Sequence, residues 1–337
     1  MNIALGFDKR YCKHAGATIQ SIISNSKSML NFYLLIDESV TNTDKYFLRY
    51  IIEKQNYSVN FIDMSKVFKD LYTGNWSKAM YYPILLSNLC NDSKILFLDS
   101  DVIVTEDLTE FYNTDINNQY CAAVHDCAMR SVINMNRKMK MSISKQKITM
   151  KEYFKNIRKW DENDIDKYFN SGMLLLNLDE IRKNKCLEEM LEILKTENLA
   201  CPDQDCFNIC FHEKVKIMPM NYNFMIIDKG LRDNLESKTG EIYNNYINNH
   251  KIPTIIHFLM KPWREKGILF EEEYYKYEKM LPLFFKITNI NFNYKLLTKK
   301  IFSISNYYHE EYKDKILTIF GMEIRIKTDT IPKINIQ

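Results

Sequence analysis

Asp99 and Asp101, separated by a single serine in "ILFLDSDVIV" (residues 95–104), form the strongest chemical signal in the sequence. An ionised carboxylate beside such an apolar run is costly to bury unless a cation pairs with it. We expect the strand to end here and the chain to turn, so that both carboxylates serve one site. Together they would hold a hard divalent cation, directly or through water, and that cation would neutralise phosphate groups.

Two other interpretations of the aspartate pair stay open on this evidence. One is a strand that ends in a solvated acidic turn. The other is the nucleophilic aspartate of a haloacid-dehalogenase-type phosphatase, whose first motif also follows an apolar strand. That motif normally opens its domain, whereas about ninety residues of strand and helix precede Asp99 here.

A third ligand is predicted in "TIIHFLMKPW" (254–263), where His257 ends an apolar run and Lys261 follows four residues later. Imidazole and two carboxylates suit a divalent cation, and a fixed positive charge beside them suits a diphosphate. Metal and lysine together would stabilise a nucleoside-diphosphate leaving group. The alternative is a structural histidine beside the strand.

The first 125 residues alternate short strand-like runs with helical patterns, which predicts an α/β fold with a mostly parallel sheet flanked by helices. The predicted strands are residues 2–7, 31–37, 59–63, 94–104 and 120–126, and residues 17–26 and 43–55 carry apolar residues at helical spacing. In such sheets ligands gather at the carboxyl ends of the strands. Six aspartates lie at or just beyond those ends: Asp8, Asp37, Asp63, Asp99, Asp101 and Asp126.

The pattern loosens after Cys127, and residues 130–159 carry ten Lys or Arg against the single acid Glu152. We interpret this stretch as an inserted basic flap that faces an anionic acceptor or membrane, or as a solvated lid. A strand at 173–178, a helix that opens with "PDQD" (202–205) and a short strand stopped by Pro262 follow.

Composition limits the class of protein. With 337 residues, 46% of them hydrophobic, the chain can bury a substantial core, and its net charge of +3 excludes a general polyanion binder, so we predict no nucleic-acid partner. The eight cysteines form no C-x-x-C pair, and neither a secretory signal nor an apolar run of membrane-spanning length is visible. We therefore expect reduced thiols and a cytoplasmic protein.

Six segments, in this order, resemble the retaining glycosyltransferases of family eight, which include bacterial lipooligosaccharide galactosyltransferases, lipopolysaccharide glucosyltransferases and glycogenin. They are "IALGFDKRYCKHAGATIQSI", "KILFLDSDVIV", "FNSGMLLLNLDEIR", "PDQDCFNICF", "MPMNYNFM" and "IIHFLMKPW", and they span roughly residues 2 to 265. The resemblance implies a GT-A-like nucleotide-sugar-binding fold and transfer of a hexose, galactose or glucose, with retention of anomeric configuration.

The resemblance also implies roles for individual residues. Asp99, Asp101 and His257 would bind Mn2+ or Mg2+ on the diphosphate of a UDP-hexose donor, with Lys261 on the phosphates. The nucleoside would contact Asp8, Tyr11 and the backbone of Ser100. The transferred sugar would lie among Asn170, Ser171, Asp203 and Gln204, of which the last two stand where a nucleophile or a cation-stabilising group would sit, and Asp126 would lie near the acceptor.

Purely structural roles stay open for several of these residues: Asp203 as a helix cap, Asn170 as a turn residue and Tyr11 as a packing residue. The sequence also departs from the family pattern. Tyr82 stands where an arginine is common, although Lys78 lies one turn earlier. Arg10 replaces a small amide near the uracil, and the spacing from His257 to Lys261 is short by two residues and lacks a glycine.

We therefore predict a catalytic domain over residues 1–265, with a flexible basic insertion at about 127–168, and a helical, basic C-terminal extension over 266–337 that associates with membrane or acceptor. The predicted protein is peripheral on the inner face of the cytoplasmic membrane. Its acceptor is a cell-surface glycan or glycolipid such as lipopolysaccharide, lipooligosaccharide or capsule. The alternatives are an inactive UDP-sugar-binding protein and, less favoured, the phosphatase.

Overall fold

The structure is a computed structural model that describes residues 1–74 and 76–282, together with the backbone of three strands between residues 302 and 328. The chain divides into two compact units, Met1–Lys286 and Ile287–Gln337. Residues 266–286 belong to the first unit, and the end of the catalytic domain at residue 265 stays a prediction. Of the predicted extension, residues 266–282 and the backbone of the three strands are described, and the rest lies outside the described residues.

The first unit alternates strands and helices. Its strands are β1 (Asn2–Phe7), β2 (Asn31–Ile36), β3 (Ser58–Asp63), β4 (Lys94–Leu98), β5 (Val102–Val104), β6 (Cys121–Ala123), β7 (Lys138–Lys140), β8 (Lys147–Thr149), β9 (Met173–Asn177), β10 (Val215–Ile217), β11 (Phe224–Met225) and β12 (Ile255–His257). Its α-helices are α1 (Cys12–Asn25), α2 (Asn42–Glu53), α3 (Leu86–Leu89), α4 (Thr109–Tyr112), α5 (Cys127–Asn134), α6 (Met150–Glu152), α7 (Glu162–Asp166), α8 (Leu178–Lys183), α9 (Cys186–Thr196), α10 (Pro202–Phe211), α11 (Lys229–Arg232), α12 (Ser237–Asn248) and α13 (Glu271–Glu278). The segments Lys78–Leu85 and Met220–Asn223 are 3-10 helices, and Tyr153–Arg158 is a π-helix.

A seven-stranded sheet in the order β10-β6-β9-β4-β1-β2-β3 forms the centre of the unit. Its strands pair in parallel except at β9, which runs antiparallel to both β4 and β6. The predicted α/β class with a mostly parallel sheet is confirmed. Since β2 lies on one side of β1 and β4 on the other, a crevice opens at the carboxyl ends of β1 and β4, the usual ligand site of such sheets.

The predicted single strand over 94–104 is wrong in one respect, because it is two strands in two sheets. β4 ends at Leu98, the chain turns through Asp99–Asp101, and β5 joins a second sheet of order β11-β12-β5. The expected turn at the aspartates is therefore present. β12 is also shorter than the predicted strand at 254–263, since it ends at His257.

Both faces of the central sheet are buried. Along β1, Ile3, Leu5 and Phe7 belong to the hydrophobic core that α1 covers, whereas Ala4 belongs to the core on the opposite face. This alternation is the period of two that a strand imposes. Gly6 allows the 3-10 helix Lys78–Leu85 to approach, since a Cβ there would lie 3.2 Å from the carbonyl oxygen of Ala79.

The inserted segment after Cys127 has an apolar core of its own. Met141, Met150, Tyr153 and Phe154 are fully buried in it. β7 and β8 form an antiparallel hairpin that packs against this core through Met139 and Ile148. The basic side chains lie on the exposed side of these elements. The flexibility that we expected of this insertion stays a prediction.

Beyond residue 301 the described backbone consists of β13 (Phe302–Tyr308), β14 (Lys313–Ile319) and β15 (Met322–Thr328) in one antiparallel sheet. The expected helical character is wrong for these residues, whose alternating β-branched and charged side chains favour strands. Within the part of the chain that the structure describes, every helix is too short or too polar to cross a bilayer.

Candidate functional site

Asp99, Asp101 and His257 meet at the carboxyl end of β4, and one ligand atom from each lies within 4.8 Å of the others. His257 Nε2 is 3.3 Å from Asp101 Oδ1 and 3.8 Å from Asp99 Oδ2. Two atoms bound at about 2.1 Å to one ion lie at most about 4.2 Å apart, so small movements complete a coordination shell. The three predicted metal ligands are therefore brought together.

Sheet pairing brings the distant histidine to the aspartates. β12 runs antiparallel to β5 with His257 opposite Val102, and the Phe258 amide donates to the carbonyl of Asp101 at 3.0 Å. Asp99 is held from the other side, where its amide donates to the carbonyl of Gly172 at 2.8 Å. Backbone hydrogen bonds thus fix the ligand positions.

Lys261 forms an ion pair with Asp101 and donates to the carbonyl of Phe258. Burial alone would raise the pKa of Asp101, but the Lys261 charge holds it well below its usual range. Partial burial and the charge of Asp101 raise the pKa of Asp99 to about 6. His257 and Lys261 oppose this rise without overcoming it. The site thus combines a strongly ionised carboxylate with one whose charge is only partly compensated.

The geometry and chemistry of Asp99, Asp101 and His257 fit a divalent cation. Asp101 Oδ1 is buried and accepts no hydrogen bond among the described residues, and the ammonium of Lys261 already occupies the other oxygen as a counter-ion. Two carboxylates and one imidazole are ligands that Mn2+ or Mg2+ accepts. A bound cation would supply positive charge for a diphosphate.

Gly172 leaves the space in which the ligand side chains converge. A Cβ at this position would lie 2.5 Å from His257 Cε1, 2.7 Å from Asp99 Oδ2 and 3.0 Å from Asn170 Oδ1. Such contacts are far inside van der Waals distance. Glycine is therefore required by close approach, a role that the sequence analysis did not assign.

Next to Gly172 lies a buried group of amides and one carboxylate. The amide nitrogen of Asn170 donates to Asp126 Oδ2 at 3.2 Å and to Gln204 Oε1 at 3.0 Å. Gln204 Nε2 donates to Asp126 Oδ2 at 2.9 Å, and Gln204 Oε1 also accepts the Ser171 amide at 3.1 Å. These four predicted residues form one network, and Asp126 also caps α5 through the Met129 amide.

Asp203 lies beside this network at the start of α10, with its carboxylate accepting from Ser171 Oγ at 3.1 Å. Burial, together with the negative charge of Asp99, raises the pKa of Asp203 to about 7. The N-cap position of α10 is Cys201 rather than Asp203, and the Cys201 side chain makes no cap hydrogen bond. Backbone hydrogen bonds from Asp203 and Gln204 to the Asp203 carboxylate oppose the rise in its pKa. Asp203 therefore contacts the first turn of α10 as well as Ser171.

Asp8, which we predicted to contact the nucleoside, directly follows β1. Arg10 donates to Asp8 Oδ2 from Nε at 3.0 Å and from a terminal nitrogen at 2.7 Å, and Ser77 Oγ donates at 2.8 Å. Burial alone would raise the pKa of Asp8, but these hydrogen bonds and the Arg10 charge hold it below its usual range. The unusual Arg10 thus acts directly on the predicted base-binding carboxylate.

Tyr11 stands edge-on to Trp263, with ring centroids 6.1 Å apart, and Trp263 stacks on His14 at 3.6 Å. His14 Nδ1 in turn lies 2.7 Å from the hydroxyl of Tyr274 on α13. Ser100 is buried and donates from Oγ to the carbonyl of Gly6 at 3.1 Å. The packing role that stayed open for Tyr11 is present, since its ring also contacts His14 and lies against the core that α1 covers. Its base-stacking role stays a prediction.

The family departure at residue 82 has a structural counterpart. Tyr82 is 1% exposed and packs against β1 at Gly6, so this position presents no charge to the crevice. Positive charge comes instead from Lys261 and Arg10, and the charge of Arg264 also acts on Tyr11.

One test separates a metal ligand from a structural histidine. We expect His257→Ala to weaken Mn2+-supported UDP affinity at least about tenfold while the protein stays folded. Mn2+ titrations with UDP and melting curves measure the two effects, with His212→Ala at the end of α10 as the control. A large fall in melting temperature with unchanged metal-supported affinity would show that His257 is structural.

Residues 2–267 match the family model described as Glycosyl transferase family 8. A lipopolysaccharide 1,2-glucosyltransferase of Escherichia coli is 26% identical over 332 residues, which is 94% of this chain and 87% of that protein. General stress protein A of Bacillus subtilis is 22% identical over 293 residues, and this alignment spans 82% of this chain and 92% of that protein.

Solved structures resemble the fold. The galactosyltransferase LgtC, crystallised with donor and acceptor sugar analogs, aligns with a TM-score of 0.64 and 20% identity over 85% of this chain and 99% of its own. The WbbM bifunctional glycosyltransferase aligns with a TM-score of 0.73 and 22% identity over 86% of this chain. This chain spans about half of the WbbM chain, 51%.

Proposed function

Since this chain belongs to glycosyltransferase family 8 and is a hexosyltransferase, we propose that it transfers galactose or glucose from a UDP-sugar to a cell-surface glycan. The acceptor is a lipopolysaccharide, lipooligosaccharide or capsule precursor, and the reaction uses Mn2+ or Mg2+ and retains the anomeric configuration. The observation that carries the proposal is the cluster of Asp99, Asp101 and His257 at the carboxyl end of β4.

The binding of the donor follows from the order of the groups along the crevice. Asp8 and Tyr11 hold the uracil at the end of β1, and the metal ligands hold the diphosphate. The polar network around Gly172 then receives the hexose, whose hydroxyls need both donors and acceptors. A bound cation supplies the charge that stabilises the diphosphate as it departs.

In the transfer step the bond between the anomeric carbon and the phosphate oxygen breaks, and its electron pair stays on UDP. Lys261 leaves Asp101 for the diphosphate and adds positive charge there. The acceptor hydroxyl attacks from the face that the phosphate leaves, and its proton passes to the departing phosphate oxygen. No further base is then required.

The hydrogen bonds support different roles for the two candidate catalytic residues. Gln204 Oε1 already accepts from Asn170 and the Ser171 amide, so both lone pairs are used and a positioning role fits better than nucleophilic attack. Asp203 accepts only from Ser171 among the described side chains, and its carboxylate is free to stabilise positive charge at the anomeric carbon.

The lysines of the insertion support an anionic partner. In the β7–β8 hairpin, Lys140 lies directly opposite Lys147, and Lys138 is on the same strand face as Lys140. Like charges opposite each other destabilise a hairpin. Within the described part of the chain, no hydrogen bond or ion pair reaches the side chains of these three lysines. The partner that would compensate them is a lipid-linked acceptor in an acidic membrane, which makes the protein peripheral on the cytoplasmic face.

We expect the double variant Lys140→Glu, Lys147→Glu to lose most of its affinity for vesicles of acidic lipid, at about 1 kcal/mol for each charge. Wild-type binding should fall as salt rises, because exposed charges are screened within a Debye length of about 8 Å. The matched control is Lys54→Glu, Lys183→Glu. Equal loss in both double variants, or salt-independent binding, would contradict a docking role for the hairpin.

A screen of UDP-sugars tests the proposed reaction. With Mn2+ present, one UDP-hexose should raise the melting temperature and release UDP slowly to water and rapidly to a glycan acceptor. Metal-dependent binding without UDP release would favour the inactive binding protein. Release of inorganic phosphate from a simple phosphate ester would instead favour the phosphatase.

A further inference from the structure

Asn223 is a buried residue that hydrogen-bonds to a predicted metal ligand, a role that neither the family membership nor the sequence motif assigns. It is 0% exposed, lies in "MPMNYNFM" (218–225) and ends the 3-10 helix Met220–Asn223. Its side chain joins two parts of the site. Asn223 Oδ1 lies 2.9 Å from His257 Nδ1, and Asn223 Nδ2 lies 2.9 Å from Asn170 Oδ1.

Asp126, Asn170, Asn223 and His257 form a series of hydrogen bonds, and the carboxylate of Asp126 fixes the direction of each one. The carboxylate of Asp126 accepts the Met129 amide and the Gln204 amide, so Asn170 must present Nδ2 to it and Oδ1 to the other side. The Gly172 amide, which donates to Asn170 Oδ1 at 3.0 Å, requires the same orientation. Asn170 therefore offers an acceptor to Asn223.

The orientation of Asn223 determines which nitrogen of His257 carries the hydrogen. Asn223 donates from Nδ2 to Asn170, so its oxygen is left to face His257 Nδ1. An amide oxygen only accepts, and Nδ1 must therefore carry the hydrogen. The lone pair of the neutral imidazole is then on Nε2, which points toward Asp99 and Asp101. A partner on the second ring nitrogen commonly fixes the tautomer and orientation of a histidine ligand.

We propose that Asn223 is a positioning residue that sets the tautomer and orientation of His257 for a divalent cation and links the cation site to the sugar-binding amides. The inference rests on the proposed metal-dependent transfer. It adds a direct coupling between the two sites. A sugar that hydrogen-bonds to Asn170 would shift Asn170, and through Asn223 it would change the hydrogen bond that orients His257.

Two substitutions separate the two hydrogen bonds of Asn223. Asn223→Ala removes both, and we expect the Mn2+ concentration needed for UDP binding to rise 10- to 100-fold, as is typical for outer partners of metal ligands. Asn223→Asp keeps an acceptor for His257 but sets a second acceptor against Asn170 Oδ1. We expect its Mn2+ requirement to stay within roughly threefold of wild type, while kcat for UDP-hexose hydrolysis falls at least tenfold and KM changes little.

The readout for metal is loss of the free Mn2+ paramagnetic resonance signal in the presence of UDP, which does not depend on turnover. Asn208→Ala is the control, because Asn208 is equally buried but bonds only the backbone of Phe169 and Gln204. It should lower the melting temperature as Asn223→Ala does and leave the Mn2+ requirement unchanged.

Equal Mn2+ requirements in Asn223→Ala and wild type would overturn the inference alone. So would an equal rise in Asn223→Ala and Asn223→Asp, since the retained acceptor would then have no effect. Wild-type protein that binds UDP without any dependence on metal would overturn the proposed function and this inference with it.

Discussion

Asp101→Asn is expected to abolish both metal-supported UDP binding and turnover while the protein stays folded. The carboxylate pairs with Lys261 through one oxygen and faces His257 with the other, so its charge serves the cation site on both sides. An amide of the same size lacks that charge and presents a donor to one of these groups. The loss should exceed the 10- to 100-fold cost typical of outer-shell changes.

Mn2+ titration with UDP and a UDP-release assay measure this effect, and circular dichroism checks the fold. Asp63→Asn is the matched control, because Asp63 also ends a strand of the central sheet but is exposed and bonds only Ser65. Turnover of Asp101→Asn at the wild-type rate in metal-depleted buffer would show that the site is misassigned.

Gly172→Ala should have a comparable effect although it changes no charge and no hydrogen-bonding group. The added methyl would lie 2.5 Å from His257 Cε1 and 2.7 Å from Asp99 Oδ2, so one metal ligand must move. His257 is buried and held by Asn223, which leaves Asp99 as the group that is displaced. We expect at least about a tenfold rise in the Mn2+ requirement, by the same scale of metal-site perturbation.

Gly240→Ala is the control for Gly172→Ala. Its Cβ would make an ordinary contact at 3.6 Å with Leu235, and alanine favours the helix α12 by about 1 kcal/mol. It should raise the melting temperature slightly and leave metal-supported UDP binding as in wild type. A Gly172→Ala protein with the wild-type Mn2+ requirement would show that His257 and Asp99 can make room for the methyl group without weakening metal binding.

The sequence predicted the sheet and the ligand groups well because both leave local signals. Asp99 and Asp101 follow a run of apolar residues, and a charged pair at the end of a buried strand has few interpretations. His257 was within reach only through the resemblance, since a lone histidine after an apolar run is usually structural. The split of residues 94–104 into two sheets was missed, because Ile103 and Val104 continue the β pattern beyond the turn.

Other features of the site depend on groups that meet only in three dimensions. Asn223 is one of many asparagines in the chain, and nothing in its neighbours indicates a bond to a histidine more than thirty residues away. Gly172 looks like an ordinary glycine before a strand until the distances of its missing Cβ are known. Asp126 has a local signal as a helix cap, but its contacts with Gln204 and Asn170 come from distant elements.

The insertion shows the same limit at a larger scale. Its excess of lysine and arginine predicted a basic surface, and the charged side chains do lie outside. The sequence did not reveal that Tyr153 and Tyr168 both donate to the buried carboxylate of Asp205, next to Gln204 on α10. The insertion is therefore bonded to α10, the helix that carries two of the proposed sugar-binding residues.

The pairing of β5 with β12 has a consequence for how the protein is made. Lys261 and Asp101 are 160 residues apart in the chain, so the cation site closes a long loop. Contacts of such large sequence separation form late, because the entropy of loop closure must be met first. A nascent chain that has not yet emerged past β12 contains β1 and the aspartates but lacks His257 and Lys261, so the proposed diphosphate site is incomplete. Donor binding should therefore begin only when folding of this unit is almost complete, and it would then select finished molecules over partly folded ones.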